Sequence, residues 1–299
     1  MKDRNRTVVV GVDGSGASMA AVSWAAKMAS ARHLELEIVH GLRSTELRHD
    51  GGMAGTDVLF DAVRQDGDRV VAGSRKVAAS IDEDLVVTAK TPVESPAALL
   101  VGLSRQARMV VVGASGSGGF TGMLLGTTAA TLVDHAHSPV AVIRGRHGTA
   151  HVPESGPVVV GVDGSETSEL AIAAAFEEAS FRRAPLVAVH AWSDITYEDF
   201  YGAVRIMPQW ESAREDEERL LAQRLAGWQE KYPDVGIRRI LCRDRPRHAL
   251  LETAQTAQLV VVGNRGRGGF AGMLLGSTSQ ALVQHAACTV LVVRLESRR

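Results

Sequence analysis

Two stretches of the chain carry the same spacing of glycines and hydroxyl residues. Val110-Val-Val-Gly113-Ala-Ser-Gly116 runs on to Gly126-Thr127, and Val260-Val-Val-Gly263-Asn-Arg-Gly266 runs on to Gly276-Ser277, so each reads Gly-x2-Gly-x9-Gly-[Ser/Thr]. A glycine-rich turn that leaves an apolar strand and meets a hydroxyl residue before a helix can present converging backbone N–H groups to an anion such as a phosphate. Glycine at 113 and 116 allows positive φ and close backbone approach, and Thr127 or Ser277 could supply both a helix cap and a hydroxyl to a phosphate. Turn chemistry alone would need one or two glycines and no fixed spacing, and the duplication argues further against that reading.

Two aspartates stand at matching places, Asp13 and Asp163, each followed by Gly-Ser. Such a residue can accept a hydrogen bond from a ribose hydroxyl or help to hold a divalent ion on phosphates; alternatively it is a turn aspartate that caps the following helix. No Gly-x4-Gly-Lys-[Ser/Thr] occurs, and the turn Gly11-Val-Asp-Gly14-Ser-Gly16 lacks the order Gly-x-Gly-x-x-Gly. The site is therefore neither a Walker phosphate loop nor a standard dinucleotide fold. Arg265 and Arg267 replace Ser115 and Ser117 in the second loop, either as phosphate ligands or as solvated surface charges. His135 and His285 lack carboxylate or cysteine partners at ligand spacing and read as packed or capping helical residues.

The elements that must position these residues are also written twice. Asp13 and Asp163, His40 and His190, Pro96 and Pro246, and Gly126 and Gly276 all differ by 150. A repeat of that length can bury its own core and is not a solenoid unit. Each copy opens on an apolar run, Thr7 to Gly11 or Val158 to Gly161, of the kind covered on both faces of a parallel sheet. An alanine-rich helical pattern follows, Ala17 to Ala31 or Ser168 to Ser180, and then a strand, Leu36 to His40 or Leu186 to His190. After a variable connection comes a helix, Asp57 to Ser80 or Gln209 to Lys231, then a strand around Leu85 to Thr88 or Ile237 to Cys242. A helix from Pro96 or Pro246, a strand Met109 to Val112 or Leu259 to Val262, the glycine loop, a helix and a last strand complete the copy.

This alternation implies an α/β chain of two tandem, doubly wound, parallel five-stranded sheet domains. They fall at 1–145 and 158–299, with 146–157 as linker. In such sheets ligands settle beyond the carboxyl ends of the strands where the winding reverses, which is where the Asp13 turn and the Gly113 loop can meet. The last strands, Val140 to Arg144 and Val290 to Arg294, would expose unpaired edges, so they are expected to pair with each other, antiparallel. Two domains tethered loosely, with edges blunted by Arg144 and Arg294, is the alternative.

The 299 residues are 45% hydrophobic with formal net charge −1, so there is no broad attraction to nucleic acid or an anionic membrane. The polar start, Met1 to Thr7, leads into an apolar run too short for a signal sequence or a membrane span, and a cytoplasmic place is expected. Cys242 and Cys288 occupy unmatched positions, which argues against a disulfide framework or a cysteine metal site.

With these residues in view, the chain resembles a tandem universal stress protein of the ATP-binding type, similar to those of mycobacteria and related actinobacteria. The resemblance is densest at Val158 to Asp163, Ala191-Trp192-Ser193-Asp194, Arg224-Leu-Ala-Gly-Trp-Gln-Glu230 and Leu259 to Arg294. It implies an adenine nucleotide alpha hydrolase-like fold, ATP with Mg2+ in each domain, and paired domains within one chain or in a homodimer. Asp13 and Asp163 would touch ribose or metal, and the backbone at Gly41 and Ala191 would meet adenine. Gly113, Gly116, Ser117, Gly118, Gly126 and Thr127, with Gly263, Gly266, Arg267, Gly268, Gly276 and Ser277, would enclose ribose and phosphates. The implied role is ATP-dependent regulation of a stress or growth response through an unidentified protein partner. A slow ATPase or adenylyl-transfer enzyme, and an ATP-independent scaffold, are the competing readings.

Overall fold

The computed structural model describes residues 6–42, 56–116, 125–146, 151–192, 210–243, 245–266 and 274–295. In chain order, copy one gives β1 (Thr7–Gly11), α1 (Gly16–Ala31), β2 (Glu35–Val39), α2 (Thr56–Ala79), β3 (Val87–Lys90), α3 (Pro96–Leu103), β4 (Met109–Gly113), α4 (Thr127–His135) and β5 (Val140–Ile143). Copy two gives β6 (Val158–Val162), α5 (Glu166–Arg182), β7 (Leu186–Trp192), α6 (Trp210–Lys231), β8 (Ile237–Arg243), α7 (Pro246–Ala254), β9 (Leu259–Gly263), α8 (Ser277–His285) and β10 (Thr289–Val293).

All ten strands form one sheet, in the order β3-β2-β1-β4-β5-β10-β9-β6-β7-β8. Within each copy every pairing is parallel. The two five-stranded halves are joined where β5 and β10 pair antiparallel, with Val142 opposite Val290 and Val140 opposite Val292. The edge that each copy would expose alone is thus covered by the other, as expected from the apolar final strands.

Strands of β-branched residues covered on both faces create two continuous cores. Val8, Val10, Ile38, Val111 and Ile143 face the layer of α1 and α2, and their copy-two counterparts continue that core under α5 and α6. Val9, Val110, Val112, Val140 and Val142 face α3 and α4, continuing under α7 and α8. The helices therefore lie on both sides of the sheet, and the chain reverses direction between β1 and β4 and again between β6 and β9.

Most strand ends differ from the sequence reading by one or two residues, and two of the starts have a clear physical cause. β3 starts at Val87 rather than Leu85, because its ladder to β2 begins with Leu36 opposite Val87, while Val86 is exposed. β10 starts at Thr289, one residue earlier than β5 relative to the repeat, since Pro139 in copy one carries no N–H for a ladder.

Arg144 and Arg294 do more than blunt an edge. Arg144 donates from Nε to Ala286 O at 3.1 Å and from Nη1 to Val283 O at 2.9 Å, at the carboxyl end of α8. Arg294 reciprocates on α4, donating to Asp134 O at 3.1 Å and to Val133 O. Each cation thus caps a helix of the other copy, where orphan carbonyls and the helix dipole favour positive charge. Burial lowers both guanidinium pKa values from the ordinary value.

Candidate functional site

The first strand of each copy ends in a turn that its own side chains organise. Gly14 has φ +81° and Gly164 has φ +77°, the left-handed region that glycine favours. Asp13 Oδ1 accepts from Ser15 N at 3.0 Å and from Ser15 Oγ at 2.6 Å. Ser15 Oγ in turn accepts from Ser18 N at 3.1 Å and is the N-cap of α1. Copy two repeats this with Asp163, Ser165 and Ser168 at 3.0, 2.7 and 3.2 Å. The aspartate is thus not the cap: serine caps the helix, and the carboxylate orients the serine.

The other carboxylate oxygen faces the glycine loop. A Cβ placed on Gly116 would lie 2.5 Å from Asp13 Oδ2, and one on Gly266 would press on Asp163 Oδ2. Gly113 is equally constrained, since its Cβ would meet the Ala17 backbone at 2.8 Å, and one on Gly263 would lie 2.6 Å from Thr167 Oγ1. None of these four glycines has positive φ, so of the two reasons read from sequence for Gly113 and Gly116 only close backbone approach holds. They are needed because strand end, loop and helix start approach too closely for a side chain. The loop closes on itself through Gly126 N donating to Ala114 O at 2.7 Å, and Gly276 N to Asn264 O at 2.8 Å.

Thr127 and Ser277 are not helix caps either. The N-caps of α4 and α8 are Gly126 and Gly276, which have no side-chain cap hydrogen bond, and the hydroxyl residues occupy the first helical position. The helix starts therefore present their N–H groups without a side-chain cap, an arrangement suited to an anion.

On the other side of the cleft stands the end of β2. A Cβ on Gly41 would lie 2.8 Å from Glu94 O and 2.9 Å from Pro96 Cα, so the strand end is pressed against the start of α3. His40 Nδ1 lies 2.7 Å from Val12 O, which joins the end of β2 to the residue before Asp13, and His190 repeats this with Val162 O at 2.7 Å. Sequence reasoning gave these histidines no role of their own, although their recurrence at the repeat spacing was a signal. Ala191 follows His190 within β7, opposite Cys242 of β8.

In copy one Asp13, Gly41, Gly113, Gly116, Gly126 and Thr127 line a single cleft of about 780 Å3 at the carboxyl ends of the strands. A smaller cleft of about 310 Å3, at the opposite end among Arg6, Glu35, Glu37 and Lys90, contains none of the predicted residues. Ser117, Gly118, Arg267 and Gly268 lie outside the described residues. Arg265 is described and exposed, and its carbonyl accepts from Thr167 Oγ1 at 2.5 Å.

Among the described residues, no group of three or more His, Cys, Asp or Glu side chains could hold a metal ion. Asp13 and Asp66 both line the copy-one cleft, which suits Mg2+ arriving on phosphates, because that ion keeps several waters and takes one or two protein carboxylates. His135 and His285 are exposed in the last turns of α4 and α8 rather than packed. Cys288 is buried in an apolar setting that pushes its thiol up to about 12.

The universal stress protein family model matches residues 4–144 and again 155–294. The chain belongs to the universal stress protein family, with two such domains in tandem. It is 40% identical over 302 residues to the universal stress protein Rv2623 of Mycobacterium tuberculosis, covering 96% of each chain. It is 41% identical over 304 residues to Rv1996 of the same organism, covering 97% of this chain and 96% of that one. The crystal structure of a universal stress protein from Archaeoglobus fulgidus covers 97% of both chains with a TM-score of 0.69 at 16% identity, a likeness of fold. No helix among the described residues is long and apolar enough to cross a membrane.

Proposed function

We propose that this universal stress protein binds ATP in each domain and acts as a nucleotide-dependent regulator of a cytoplasmic stress or growth response. The observation that carries this reading is the convergence of Asp13, Gly41, Gly113, Gly116, Gly126 and Thr127 on one cleft at the switch point of the sheet. Adenine would lie on the backbone at Gly41 or Ala191, with ribose against Asp13 or Asp163. Phosphates would meet the glycine loop and the start of α4 or α8, beside Thr127 or Ser277 and the uncapped helix N–H groups. Asp13 and Asp163 would hold Mg2+ through the phosphates, and Arg267 with Ser117, Gly118 and Gly268 would extend the loop. The domains take residues 1–145 and 158–299, with 146–157 between them.

Among the described residues of the copy-one cleft the groups are suited to positioning a ligand, which supports binding over fast turnover. Calorimetry on nucleotide-free protein with ATP and Mg2+ tests the proposal. The expected stoichiometry is near two per chain; a value near zero in folded protein refutes it.

A further inference from the structure

The two copies share a backbone plan around the strand-end turn and glycine loop but not their side-chain ties. In copy two, Thr167 Oγ1 donates to Arg265 O at 2.5 Å, holding the start of α5 to the glycine loop. Asn264 Nδ2 donates to Leu274 O at 3.3 Å, linking the two ends of that loop. Ser279 Oγ donates to Gly263 O at 2.7 Å, fastening α8 to the end of β9. Glu217 Oε2 lies 2.8 Å from His190 Nε2, fastening α6 to the end of β7. Because His190 Nδ1 is committed to the Val162 carbonyl, which only accepts, both ring nitrogens are engaged.

The residues 150 positions earlier are Ala17, Ala114, Ala129 and Gly67. None has a side-chain hydrogen-bonding group, so none of the four ties can form in copy one. At Gly67 the helix instead packs directly on the cleft, where a Cβ would lie 2.9 Å from His40 Cδ2 and 3.0 Å from Leu42 Cδ2. Each copy-two tie has a buried partner, Thr167 at 7%, Asn264 8%, Ser279 5% and His190 5% exposed, although Glu217 itself is partly exposed. Sheltered bonds compete little with water and hold their geometry. A site held in its binding geometry before the ligand arrives spends less ordering entropy on capture, and the gain appears mainly in slower release.

We propose that the two nucleotide sites divide the work: copy two is a preorganised, slowly exchanging holder of an adenine nucleotide, and copy one is a compliant, rapidly exchanging sensor. This rests on the reading that both clefts bind ATP. Thr167, Glu217, Asn264 and Ser279 are the positioning residues that set the difference. A chain built this way keeps one nucleotide resident as part of its fold, while the other site follows the ATP level.

The test is displacement of a fluorescent ATP analogue, loaded with Mg2+ and chased with unlabelled ATP, in the full chain. Wild type is expected to release it in two phases whose rates differ by about tenfold or more. The triple variant Thr167→Ala, Asn264→Ala, Ser279→Ala places in copy two the residues that copy one already tolerates, and should speed the slow phase about tenfold. The reverse triple, Ala17→Thr, Ala114→Asn, Ala129→Ser, should slow the fast phase and leave the other unchanged. Glu217→Met keeps side-chain length without the bond to His190 and should speed only the slow phase, with Glu217→Gln remaining closer to wild type. A single phase of full stoichiometry in wild type, or unchanged phases in both triple variants, overturns the division of work while leaving ATP binding intact. No binding at all by wild type overturns the underlying reading as well, and stoichiometry tells the two failures apart.

Discussion

Adding one methyl group at Gly116 or Gly266 should separate binding from folding. At Gly116 the new Cβ would start 2.5 Å from Asp13 Oδ2, inside the 3.0 Å floor for such contacts, so loop or carboxylate must shift by at least half an ångström. If Asp13 swings away, its bonds to Ser15 N and Oγ, at 3.0 and 2.6 Å, are strained or lost. Hydrogen bonds to charged groups are each worth about 1.5–3 kcal/mol. Water can replace part of that at a half-buried turn, so we expect a stability loss of about 1–2 kcal/mol, a few degrees in Tm. Binding in the altered copy should be abolished, because carboxylate and loop face the same ligand. Saturation at about 100 times Kd stabilises by roughly 2.7 kcal/mol per loaded site. With one sheet joining both domains, wild type should gain about twice the ATP-linked stabilisation of either single variant. Gly116→Ala and Gly266→Ala are therefore assayed by thermal melts with and without ATP, alongside calorimetry. An ATP-induced shift equal to wild type in both variants would refute the placement of the nucleotide between aspartate and loop.

Arg144→Ala and Arg294→Ala should each lower stability by about 2–4 kcal/mol, since each removes two charge-assisted bonds to helix carbonyls of the other copy; denaturant midpoints within error of wild type would contradict that. Val142→Pro removes an N–H from a strand that lies inside the sheet, between Val112 of β4 and Val290 of β10. It should loosen the domain pairing, visible as a larger radius of gyration by small-angle scattering, and unchanged dimensions in a folded variant would count against the junction. Cys288, held near a pKa of about 12 by burial, should resist a thiol reagent in native protein and react after unfolding. The folded pKa is raised above the unfolded one, so this group's contribution to stability is full below about pH 8.5 and falls as pH rises toward 12. Native labelling at the rate of the unfolded chain would overturn this.

The alternation of elements was legible because runs such as Val110-Val-Val and Val260-Val-Val have one comfortable home, a strand covered on both faces. Where β3 begins was not legible, because the start is set by the partner strand: Leu85 and Val86 look as strand-like as Val87, yet the ladder to β2 begins at Val87. The glycine positions were legible, and of the two reasons read from them, positive φ and close approach, only the second applies. What sequence could not name was the contacting partner: segments about 100 residues apart meet, such as Gly116 with Asp13 and Gly263 with Thr167. Arg144 and Arg294 entered the sequence reading only in the loose-tether alternative, as edge blunting, because their true acceptors, carbonyls at the ends of α8 and α4, come within reach only once the antiparallel junction exists.

The aspartate shows why a choice framed on sequence can dissolve in three dimensions. From Asp-Gly-Ser alone, a helix-capping aspartate and a ligand-binding aspartate are competing uses of one side chain. A carboxylate has two oxygens, however, and the turn separates them: Oδ1 of Asp13 takes both bonds from Ser15, while Oδ2 faces Gly116. The turn bonds fix the rotamer, and a fixed rotamer is what lets a single carboxylate meet a ribose or a hydrated ion without an ordering cost. The structural role of Asp13 is thus a condition of the binding role proposed for it. This has a consequence for Ser15→Ala, which touches no ligand in the proposed pose. It should weaken ATP binding in copy one, and an unchanged ATP affinity for that variant would show that Ser15 does not set the carboxylate.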